Sequence, residues 1–185
     1  HKISGGDGEL LFSESVTNDG EISGSSGTIT FSGTYGSSTA TEATPAILKA
    51  SSGNTNFSSD ADFSYTTFDA NNGTALFNSA TGQTLTTNGQ TFNNVTLPDT
   101  GTTSLLTVKG TLNINGKLTT GANRTLDMQT NNSALNVVGT TDNSGEIKLG
   151  SQPAQFTGTV TNSGKITASD GTVTFGGKVT NDGTI

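Results

Sequence analysis

A seven-residue motif, Val-Thr-Asn-[Asp/Ser]-Gly-x-Ile, occurs at Val16–Ile22, Val160–Ile166 and Val179–Ile185, with a looser copy at Thr141–Ile147. The last three copies end at Ile147, Ile166 and Ile185, a step of 19 residues. A unit that short, with one turn signal and a few apolar residues, cannot bury its own apolar side. It must stack on its neighbours. The period therefore predicts an all-β chain, a parallel β-solenoid with coils of about 19 residues, rather than a globular core. Residues 1–185 are read as one solenoid segment, expected to be part of a longer chain.

Composition agrees with thin coils. Apolar residues make up 29% of the chain, fewer than Ser and Thr together, and charged residues only 12%. Disordered chains share the low hydrophobicity but usually carry high charge; here the apolar residues are β-branched or aromatic and recur. A net charge of −7 with eight scattered basic residues argues against nucleic acid as a partner. The absence of cysteine excludes disulfides and thiolate-held metals. No apolar run is long enough to span a membrane as a helix.

Strand-like alternation is clearest in Thr28-Ile-Thr-Phe31 and Thr172-Val-Thr-Phe175. Both follow a motif copy, and both elements are displaced by 144 positions, as if one coil type were reused. The Asn-Asp-Gly and Asn-Ser-Gly steps predict tight turns through residues that tolerate positive φ. Residues 34–70 are the least regular and predict an insertion or widened coil, with a weak helical signal at Glu42–Ala50. Stacking places Asn143, Asn162 and Asn181 above one another in an amide ladder. Ile147, Ile166 and Ile185 form a matching inner column.

The runs Asn71-Asn-Gly-Thr-Ala-Leu-Phe77, Gln90-Thr-Phe-Asn-Asn-Val-Thr-Leu97 and Gly110-Thr-Leu-Asn-Ile-Asn-Gly-Lys-Leu118 resemble passenger regions of bacterial autotransporters and filamentous-haemagglutinin-like adhesins. With the repeated motif, the resemblance covers residues 71–185 and 10–33. It implies a right-handed parallel β-helix, exported and displayed on a cell surface.

Few residues suggest chemistry. The single histidine, His1, is terminal, which removes Ser-His-Asp and Cys-His catalysis. The carboxylates Asp60, Asp62 and Asp69 are the densest acidic group, but sugar hydrolysis needs a pair held in a cleft, and the chain has no Trp to stack a sugar. Asp60, Asp62, Ser64 and Asp69 place oxygen ligands at spacings that could hold a structural calcium, without the glycine and glutamate of a full calcium loop. No other cofactor is expected. The aromatic group Phe57, Phe63, Tyr65 and Phe68 marks a possible contact region, against the plainer reading that these rings pack the local core.

The expectation is thus an extracellular, cell-surface structural or adhesive segment that is not an enzyme. Its partners would be a surface glycan or protein, or other copies of itself. An end-to-end filament subunit and a carbohydrate-active β-helix are the alternatives.

Overall fold

The computed structural model describes all 185 residues and contains strands and turns but no helix. The chain winds through three faces in succession. The first face carries nine strands, from Leu10–Phe12 to Val179–Asn181, and the second carries eight, from Val16–Thr17 to Lys165–Ala168. The third is divided between a lower sheet of four, Lys2–Ser4 to Thr66–Asp69, and an upper sheet of five, Thr91–Phe92 to Val173–Phe175. All ladders are parallel. This is a β-solenoid of about nine turns, a rod of roughly 40 Å at ~4.8 Å per rung.

Alternation along each short strand sends one set of side chains into a narrow core. Register then stacks like on like. At the end of each first-face strand stand Phe12, Phe31 and Phe57, followed by Phe77, Leu97, Thr120, Asn143, Asn162 and Asn181. The four rings lie parallel, with centroids 5.1, 5.3 and 5.4 Å apart. One column therefore changes from aromatic rings to carboxamides along the rod.

That change corrects the reading of one reused coil. The motif at Val16–Ile22 turns the corner between the second and third faces, with Val16–Thr17 on one and Glu21–Ser23 on the other. The copy at Val160–Ile166 turns the corner between the first and second, with strands Val160–Asn162 and Lys165–Ala168. The repeats at either end are out of phase by one face. The motif specifies a corner, and any corner will serve.

Its glycine is required for space, which corrects the positive-φ expectation. A Cβ on Gly164 would lie 2.0 Å from the Gly145 carbonyl oxygen, and one on Gly183 would lie 1.9 Å from that of Gly164. Positive φ occurs elsewhere, at Asn71, Asn72, Asn88 and Asn132 among non-glycines.

The 34–70 stretch is more regular than its sequence. Ala46–Lys49, Asn54–Phe57, Ala61–Asp62 and Thr66–Asp69 are all rungs of the solenoid, so Glu42–Ala50 is not helical. What is added is a loop at 37–45, which stretches that coil to 26 residues between Thr30 and its neighbour Asn56. Elsewhere the step is 19 residues, as between Asn143 and Asn162, or 23, as between Asn113 and Asn136. Extra residues sit in corners, where they leave the ladders intact.

Candidate functional site

The asparagine ladder is a hydrogen-bonded unit. Asn143 Nδ2 donates to Asn162 Oδ1 at 2.7 Å, and Asn162 Nδ2 donates to Asn181 Oδ1 at 2.7 Å. Each also reaches the next coil's backbone: Asn143 to the Lys165 carbonyl at 3.1 Å, Asn162 to that of Thr184 at 2.9 Å. Asn18, in the first motif copy, makes the equivalent bond to the Ile47 carbonyl at 3.0 Å. The ladder ends at Thr120, whose buried hydroxyl and the facing Asn143 Oδ1 have no partner. Ile147 and Ile166 are paired rungs of the second face and fully inside, whereas Ile185 in the last coil is 54% exposed.

The aromatic group does not form a contact surface. Phe57, Phe63 and Phe68 are buried, and only Tyr65 stands out in solvent. Phe63 meets Phe57 edge-on at 5.8 Å and Phe92 at 5.7 Å, so these rings fill the coil that the 37–45 loop would otherwise leave loose.

The oxygen ligands proposed for calcium are also dispersed. Asp60 Oδ1 accepts from the Thr84 amide at 2.6 Å, Asp62 Oδ1 from the Ser64 amide at 2.8 Å, and Asp69 Oδ1 from the Asn71 amide at 3.0 Å. No three acidic or histidine side chains come together in metal-binding geometry. Asp60 and Asp62 line a groove of about 320 Å³ on the second face, floored by Val16, Tyr35 and Ala61. Asp69 belongs elsewhere, in a cleft of about 470 Å³ with Asn71, Asn72, Thr91, Asn93 and Asn115.

That second cleft marks the one place where the stack is interrupted. Thr66–Asp69 and Thr91–Phe92 follow one another on the third face without pairing, which is why its two sheets are separate. Side chains replace the missing ladder. Gln90 Oε1 accepts the Phe68 amide at 3.1 Å, and Asn88 Nδ2 donates to the Ser64 carbonyl at 2.7 Å. Inside, the Phe68 and Phe92 rings meet at 4.8 Å.

Two charged residues have structural roles that the sequence reading missed. Asp19, at the variable motif position, gathers the amides of Ser38, Thr39 and Ala40 and the Ser38 hydroxyl. These bonds, led by the Thr39 and Ser38 amides, hold its carboxyl far below the usual aspartate range. Arg124 is 1% exposed and donates to the carbonyls of Ser79 at 2.6 Å and Phe77 at 2.9 Å, two coils below. Burial lowers its pKa while Asp99 opposes the shift. The available signal was parity: Arg124 alternates in phase with the inward Leu126 and Met128.

Compared with known proteins, the chain matches no family model, no curated protein and no solved structure, so its function is argued from its own residues.

Proposed function

We propose that this chain is a non-catalytic, structural and adhesive segment of an extracellular protein displayed on a cell surface, with a glycan or surface protein as partner. The observation that carries the proposal is the outer surface of the upper third face. Register aligns Thr91, Asn113, Asn136, Gln155 and Thr174 in one outward column, one polar side chain per coil. Asn136 donates to Asn113 Oδ1 at 2.9 Å, and Asn113 donates to the Gly89 carbonyl at 3.2 Å, which fixes the row. Carboxamides and hydroxyls repeated at about 4.8 Å suit multivalent hydrogen bonding to a hydroxyl-rich chain, where many weak contacts sum. The resemblance of the repeats to autotransporter passengers and haemagglutinin-like adhesins supports surface display.

A competing reading comes from Asp60 and Asp62, which share one groove, as a carbohydrate-active site would require. One experiment separates them. The purified chain is applied to an array of surface glycans and matrix proteins, and in parallel to polysaccharides whose products are measured. Binding without product release, weakened by Asn136→Ala, is the expected result. Failure to bind any arrayed glycan or protein would refute the adhesive role, and product release lost in Asp60→Asn would establish catalysis instead.

A further inference from the structure

Three Asn-Gly pairs occur in the chain, Asn72-Gly73, Asn88-Gly89 and Asn115-Gly116. Asn-Gly is the dipeptide most prone to cyclise, because the glycine amide nitrogen can reach the asparagine Cγ without a side chain in the way. The fold treats the three differently. The Gly73 amide donates to the Ala70 carbonyl at 2.9 Å, and the Gly116 amide to that of Asn93 at 2.7 Å. Both glycines are also wedged against the neighbouring coil, where a Cβ would lie 1.9 and 2.3 Å from the nearest atom. The Gly89 amide donates to nothing, and no atom lies within 4 Å of where its Cβ would be. Asn88 and Gly89 are both exposed and form the tip of a two-residue turn closed by the Gln90 amide on the Thr87 carbonyl at 2.9 Å. Their φ values, 46° and 73°, are those of a type I′ turn.

We propose that Asn88 is a site of spontaneous covalent modification that loosens the interruption between the two sheets of the third face. The Gly89 nitrogen attacks Asn88 Cγ and loses its proton, and the side-chain nitrogen leaves as ammonia, giving a succinimide. Water then opens that ring to aspartate or isoaspartate. Water is the only co-reactant, and no oxidation state changes. The consequence follows from position. Asn88 Nδ2 is one of the two side-chain bridges across the interruption, donating to the Ser64 carbonyl at 2.7 Å. A carboxylate there has no proton to donate and faces a carbonyl oxygen, so that bridge is lost and the Gln90 bridge to Phe68 remains alone.

The test is incubation of the folded full chain in mildly alkaline buffer, with peptide mapping by mass spectrometry over time. A denatured sample in urea runs alongside. Asn88 should convert at least roughly tenfold faster than Asn72 or Asn115 in the folded chain, about the factor that one retained backbone hydrogen bond represents. In urea the three rates should converge. Equal rates at the three sites in the folded chain would overturn the proposal, as would an Asn88 that stays intact while the denatured control converts. The structural half is read from Asn88→Asp by hydrogen exchange. Faster exchange at the Phe68 amide supports it, and an unchanged Phe68 amide in a folded variant overturns it.

Discussion

Replacing Phe57 by alanine tests whether the rod is held coil by coil. The ring is 1% exposed and sits between Phe31 and Phe77 at 5.3 and 5.4 Å, with Tyr35 and Phe63 against its edges at 6.2 and 5.8 Å. Truncating a buried phenylalanine costs about 3–5 kcal/mol, including the cavity left behind. The two parallel stacks put this site in the upper half of that range, since each aromatic pair adds about 0.5–1.5 kcal/mol beyond burial. A loss of about 4 kcal/mol corresponds to roughly a thousandfold in an opening equilibrium. In a stack where each coil touches only its neighbours, the loss stays local. Hydrogen exchange followed by mass spectrometry should therefore show protection falling in the coils from Leu10 to Phe77. The coils beyond Leu118 should keep theirs. A uniform fall along the whole chain would refute nearest-neighbour stabilisation, and a local fall of less than about tenfold would refute the packing argument.

The amide ladder gives a pair of opposite expectations, both read from urea midpoints. Asn162→Ala, which removes bonds to Asn181 and Thr184 and strands Asn143, should destabilise by about 2–3 kcal/mol. Thr120→Asn, which supplies a donor to the unpartnered Asn143 Oδ1, should stabilise by about 1 kcal/mol. Asp19 is ionised when it holds the 37–45 loop, and its pKa is depressed by those bonds. Loop order should therefore be full above the ordinary aspartate range and decline as pH falls through the lowered value. Amide exchange at Ser38–Ala40 reports this, and Asp19→Asn should abolish the acid transition. Because Asp60, Asp62 and Asp69 each cap a different amide, a chelator should leave the melting temperature unchanged; a fall would mean that a bound cation contributes to stability.

The fold was legible where sequence period and structural period coincide. From Thr141 onward every coil takes 19 residues, so Ile147 and Ile166 fall on one column by counting alone. The middle coils were harder to read. Their extra residues lie in corners, as between Phe77 and Gln83 or Leu97 and Ser104, and shift the count without disturbing a rung. Nor could the sequence announce that its first motif copy lies one face away from the later ones, because Val-Thr-Asn-Asp-Gly describes a bend and its spacing constraint, both of which are local. The aromatic cluster at 57–68 drew attention as a departure from the repeat. In fact Phe57 continues the column begun by Phe12 and Phe31, and a register that depends on pairing across 26 residues leaves no local signature. The interruption between Thr66–Asp69 and Thr91–Phe92 was invisible for the same reason, since both segments read as ordinary strands.

The interchangeable corner has a consequence for how such a chain can lengthen. From Val16–Thr17 to Val160–Asn162 the chain passes through twenty strand-and-corner units, which is not a whole number of three-sided coils. Duplication or deletion of a single unit of six or seven residues would leave the rest of the rod in register with itself, merely rotated by a third of a turn. Descendants of one ancestral rod could then present the same ladder of side chains in three different directions, having changed their length by scarcely 2 Å.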